Sequence, residues 1–114
     1  MDVQVFGVKK SPDTRKAIRF FKERRVKVHF VDLDERAPSP GELRRFFQKF
    51  KADRLVDRSS RRFAELGLRT AHYGDERWME IACEEPRILR LPLVRRGQQL
   101  SVGHDEAAWR SWLA

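Results

Sequence analysis

Apolar residues recur along the chain with two different periods. Val3 and Val5 alternate with Gln4 and Phe6, the period of a short strand that Gly7 breaks. Ser11 followed by Pro12 then supplies an N-cap and a first helical residue. Ala17, Ile18 and Phe21 fall on one face of the helix that follows, with Arg19, Lys22 and Glu23 on the other. Val26, Val28, Phe30 and Leu33 alternate with Lys27, His29 and Asp32, which predicts a second strand and completes a βαβ opening.

Ser39-Pro40-Gly41-Glu42 reads as a capping box with proline at the first helical position. Leu43, Phe46, Phe47 and Phe50 follow it at i, i+3, i+4 and i+7. A shorter helix is expected to start near Ser59 or Ser60, to bury Phe63 and Leu66, and to stop at Gly67. Asp75 is read as the cap of another, which carries Trp78, Met79, Ala82 and Cys83 and is ended by Pro86. Leu91-Pro92-Leu93-Val94 and Leu100-Ser101-Val102 flank Arg95-Arg96-Gly97-Gln98, a hairpin whose turn uses Gly97. Past Gly103, His104 and Asp105, the residues Ala108, Trp109, Trp112 and Leu113 form the apolar face of a last helix. The order is βαβ, three helices, then ββα: an α/β fold with a four-stranded mixed sheet and an all-helical insertion between strands 2 and 3.

Length and charge narrow this further. The 114 residues suit one domain (1–114), with a core of about 1–35 and 87–114 and an insertion of about 38–86. The formal charge of +8 is concentrated in residues 1–62, which hold 18 Lys and Arg against 9 Asp and Glu. Such a field attracts anionic small molecules or an acidic protein surface. The arginines are scattered rather than clustered, which argues against nucleic acid as a partner. No apolar run reaches the roughly 18–20 residues of a membrane span, and Met1-Asp2-Val3 enters the first strand pattern directly, so the chain is expected to be cytoplasmic and not membrane-bound. Its single cysteine, Cys83, cannot close an intramolecular disulfide and lies beside Met79 on an apolar helix face. His29, His72 and His104 are dispersed without metal-ligand spacing, so neither a metal nor another cofactor is expected.

Three segments in this order carry a family likeness: Gly7-Val8-Lys9-Lys10-Ser11-Pro12-Asp13-Thr14-Arg15-Lys16-Ala17, Ile88-Leu89-Arg90-Leu91-Pro92-Leu93-Val94, and Val102-Gly103-His104-Asp105-Glu106 with Trp109. Together they resemble the ArsC arsenate reductase / Spx regulator family of thioredoxin-like proteins over nearly the whole chain. The resemblance implies a thioredoxin-like fold in which Pro92 is preceded by a cis peptide bond. It also implies that the family's redox cysteines would stand at Ser11 and Thr14. A thiol at a helix N-terminus is favoured as the reactive thiolate, whereas an alcohol without an adjacent general base stays protonated and cannot cycle through a disulfide. The family's arginine directly before the proline is Leu91 here, with Arg90 one residue displaced, and its basic residue in the insertion corresponds to Arg58 or to Ser59.

Two uses of the first loop remain open. Ser11 can be an N-cap and nothing more, or Lys10, Ser11 and Arg15, with Arg58 and Arg90 as further candidates, can hold a small oxyanion or glutathione at a former catalytic site. The expected function is thus a non-redox protein that binds a small anion or a protein partner. One alternative is a glutathione- or glutaredoxin-linked, arsenate-reductase-like oxidoreductase with its chemistry moved to another residue. Another is an Spx-like transcriptional regulator contacting an RNA polymerase subunit.

Overall fold

The computed structural model describes residues 1–114. The chain divides into two compact units, one of residues 1–36 with 91–114 and the other of residues 37–90. No helix is long and apolar enough to cross a membrane.

The first unit contains β1 (Asp2–Gly7), α1 (Pro12–Glu23), β2 (Lys27–Asp32), β3 (Leu93–Arg96), β4 (Gln99–Val102) and α5 (Glu106–Leu113). Its sheet has the order β2-β1-β3-β4, parallel between β1 and β2 and antiparallel elsewhere. In register, Val5 stands between Phe30 of β2 and Val94 of β3, so one face of three strands presents apolar side chains together. Val3, Val5 and Val94 pack there with Phe20 and Phe21 of α1 and Trp109 and Trp112 of α5. Trp109 is fully buried, its ring centroid 5.4 Å from Phe20 and 5.5 Å from Phe21, and its indole N–H donates to Ser101 Oγ at 2.8 Å. A buried indole N–H needs such a partner. Gly97 supplies the positive φ of the hairpin turn (61°), and Asp105 caps α5 by accepting from the Ala108 N–H at 3.1 Å.

Helix α1 ends in a Schellman motif. The Val26 N–H donates to Phe21 C=O and the Arg25 N–H to Lys22 C=O, both at 3.0 Å. Arg25 occupies the left-handed position of this motif (φ 60°), where glycine is the usual residue.

The second unit contains α2 (Pro40–Leu55), α3 (Arg61–Glu65) and α4 (Asp75–Glu84), followed by a 3₁₀ turn at Pro86–Ile88. The Ser39 capping box forms in full, and Ser60 caps α3. Leu43, Phe46, Phe47, Phe63, Trp78, Met79 and Ala82 are buried, with Phe63 stacked on Trp78 at 5.9 Å.

Two expectations fail here: Leu66, the C-cap of α3, is only partly buried, and Asp75 does not cap α4. Helix α2 is interrupted just past Phe50, where Lys51 has φ 63° and ψ 167°. The interruption frees the Ala52 N–H, and Asp75 Oδ1 accepts it at 2.9 Å. Asp75 is therefore the first residue of α4, whose N-cap is Gly74, and its carboxylate serves the break in α2 rather than its own helix. Bidentate hydrogen bonds from Arg62 to Glu85, at 2.8 Å each, hold the Glu85 carboxyl below its ordinary pKa.

Candidate functional site

The loop from β1 to α1 is built from the backbone outward. Gly7 does not break the strand: it is the last residue of β1, opposite Asp32, and its C=O accepts from the Leu33 N–H at 2.8 Å. The Ser11 N–H donates to Val8 C=O at 3.1 Å, closing the turn. Ser11 then caps α1: its Oγ accepts from the Thr14 N–H and its C=O from the Arg15 N–H, each at 3.1 Å. Pro12 has no N–H. Of the helix's first donors, only the Asp13 N–H therefore stays open to a ligand.

Thr14 sits beneath this turn. It is fully buried, and its Oγ1 has no hydrogen-bond partner. A Cβ added at Gly7 would collide with Thr14 Oγ1, stand 2.6 Å from its Cγ2 and 3.1 Å from its Cβ. The strand end and the first turn of α1 thus approach closely only because residue 7 lacks a side chain. A buried hydroxyl without a partner costs roughly 1–3 kcal/mol, whereas a thiol, a weak donor that behaves as a small hydrophobe, tolerates such a place better.

The cations around the loop are unevenly committed. Lys9 Nζ lies 3.9 Å from Asp32 and 4.0 Å from Glu35, and Lys16 lies 4.0 Å from Asp13. Arg15 reaches back to donate to Lys9 C=O at 2.7 Å, while Lys10 is exposed and faces no carboxylate. The Leu91–Pro92 peptide is cis.

Arg58 and Arg90 belong to the 37–90 unit, where each has a local role. The Arg58 guanidinium lies over Phe63 and Trp78, at 5.8 and 5.4 Å from the ring centroids. Arg90 donates through Nε to Arg54 C=O at 3.2 Å and through its backbone N–H to Leu55 C=O at 2.7 Å.

Within the first unit, the two histidines are engaged away from Ser11. His29 Nε2 is 3.0 Å from Asp2 Oδ2, a bond that lowers the Asp2 pKa. His104 packs on Trp109 and lies 3.8 Å from Glu106, and His72 is exposed. Cys83 lies on α4 of the other unit, where burial pushes its thiol pKa up, away from the reactive form. Sequence reasoning located the helix start and its cations. It missed the Gly7–Thr14 approach, whose one visible signal was a glycine at the end of a strand pattern.

Comparison with known proteins places this architecture. The uncharacterized protein YusI of Bacillus subtilis is 23% identical over 110 residues, covering 93% of each chain. Among solved structures, the YFFB protein superimposes with a TM-score of 0.90 at 21% identity, covering 98% of this chain and 99% of its own. An arsenate reductase from Vibrio cholerae does so with a TM-score of 0.80 at 18% identity, covering 99% and 97%. These two likenesses establish a shared fold. A sequence model of the ArsC family matches residues 6–112, from the end of β1 to the last turn of α5, and on that match the chain belongs to the ArsC family.

Proposed function

We propose that this chain is a non-redox member of the ArsC family that acts by binding, with a small oxyanion held at the first loop. The observation that carries this reading is the use of Ser11 Oγ as the cap of α1, accepting from the Thr14 N–H at 3.1 Å. An alcohol so engaged, with no base beside it, is not a nucleophile at neutral pH. Arsenate reduction, named for the Vibrio cholerae neighbour, would have to run through Cys83, whose raised pKa works against it. The binding role is supported by the open Asp13 N–H at a helix N-terminus, by Lys10 without a carboxylate and by the exposed Arg15. Pro12 and the Asp13 carboxylate oppose it, so the affinity is expected to be modest.

Thermal unfolding with phosphate, sulfate, arsenate and glutathione at constant ionic strength tests the reading. A ligand at ten times its Kd adds about 1.4 kcal/mol of stability, on the order of 5 °C for a chain of this size. An oxyanion is expected to produce such a shift, and Arg15→Ala to reduce it. No shift with any of the four, or equal shifts in wild type and Arg15→Ala, would rule out the first loop as the binding site.

A further inference from the structure

At the opposite end of α1 from Ser11 lies a cleft of about 500 Å³, lined by Arg24, Arg25, Val26, Arg110 and Leu113 together with Met1 and Ala114. Its size suits a small organic ligand. Three features distinguish it from an ordinary basic surface. Arg24 and Arg110 both lie over the ring of the buried Phe20, at 3.7 and 5.9 Å from its centroid. Arg24 is pinned there by a hydrogen bond from NH1 to Phe20 C=O at 3.0 Å, which leaves its other donors available. Two like charges are thus gathered around one aromatic ring, and none of the three arginines forms an ion pair. The carboxylate nearest in sequence, Glu23, is instead 3.8 Å from Arg19.

Arg25 is the second feature. It holds the left-handed position of the Schellman motif, which favours glycine, yet is a cationic residue lining the cleft. The third is the lining: no Asp or Glu side chain contributes to it, the Met1 ammonium and the Ala114 carboxylate add one charge of each sign, and Val26 and Leu113 add apolar wall. Cations at a helix C-terminus do complement its dipole, but that role requires neither their convergence nor an arginine at a glycine position.

We propose that this cleft binds a phosphomonoester on a small apolar body. Guanidinium groups present fork-like donors that match the oxygens of a phosphate, and a dianion balances a cluster of three cations better than a single carboxylate does. The apolar body would rest against Val26 and Leu113. This site is separate from the first loop and does not depend on the function proposed for it.

Isothermal titration with phenyl phosphate, inorganic phosphate and phenol at fixed ionic strength tests the inference. Phenyl phosphate is expected to bind more tightly than either fragment. Arg24→Gln and Arg110→Gln should each weaken it about tenfold when compared in an Arg15→Ala background, which weakens the separate oxyanion site of the first loop. All three lining arginines are exposed, so these substitutions are not expected to unfold the chain. Arg25→Gly separates binding from structure further, because relief of the positive φ should leave the variant at least as heat-stable as wild type while it binds more weakly. The proposal is overturned if phenyl phosphate does not bind, if it binds no better than inorganic phosphate, or if Arg110→Gln and Arg25→Gly bind like wild type.

Discussion

Gly7→Ala is expected to destabilise the chain by about 2–3 kcal/mol, the upper part of the usual range for overpacking a closed site. The cause is steric rather than conformational. The added methyl would occupy the space of Thr14 Oγ1 and Cγ2, and Thr14 is fully buried on the first turn of α1. Neither side has an easy retreat: Gly7 is paired with Asp32 in the sheet, and the Thr14 N–H is fixed to Ser11 Oγ. Thr14→Ala removes the two atoms that collide most closely but leaves its Cβ 3.1 Å from the new methyl. The double variant Gly7→Ala/Thr14→Ala should therefore recover part of the loss, and the two substitutions should be less than additive in urea unfolding. Strict additivity would mean that the two residues do not share the space described.

Trp109→Ala should cost more, about 4 kcal/mol, which approaches the whole stability of a small domain. The indole is fully buried among Phe20, Phe21 and His104, so its removal leaves a large cavity between α5, α1 and the sheet. It also leaves Ser101 Oγ, on a residue only 1% exposed, without the donor it now has at 2.8 Å. Trp109→Phe separates the two contributions. It keeps an aromatic ring but loses the donor, and is expected to cost about 1–3 kcal/mol, part of which Ser101→Ala should return. Equal losses for Trp109→Phe and Trp109→Ala would show that the hydrogen bond, not the packing, dominates at this position.

The elements most legible in the sequence are those specified by neighbouring residues. The capping box at Ser39, the cap at Ser60, the turn glycine Gly97 and the aromatic face of α5 all depend on side chains within one or two helical turns or a two-residue turn. The less legible features depend on partners distant in sequence. Asp75 looks like a cap for its own helix until it is found on Ala52, 23 residues earlier. Lys51 interrupts an otherwise regular apolar pattern with no glycine or proline to announce it. At the candidate site, Ser11-Pro12 announced the helix start. The depth of Thr14 did not show, because a threonine three residues past an N-cap is as easily exposed as buried until the end of β1 lies over it. Arg25 was hidden for a related reason: glycine marks a Schellman motif in a sequence, and an arginine there does not.

The claim that thiol chemistry has left the first loop meets its most direct test in arsenate reduction by the purified 114-residue chain. The assay would use glutathione, glutaredoxin and glutathione reductase with NADPH consumption followed, and an active arsenate reductase as the positive control. With Ser11 as a cap, Thr14 sealed and Cys83 raised in pKa, the rate should equal that of the mixture without the chain. Turnover above that background, proportional to the amount of chain added, would contradict it.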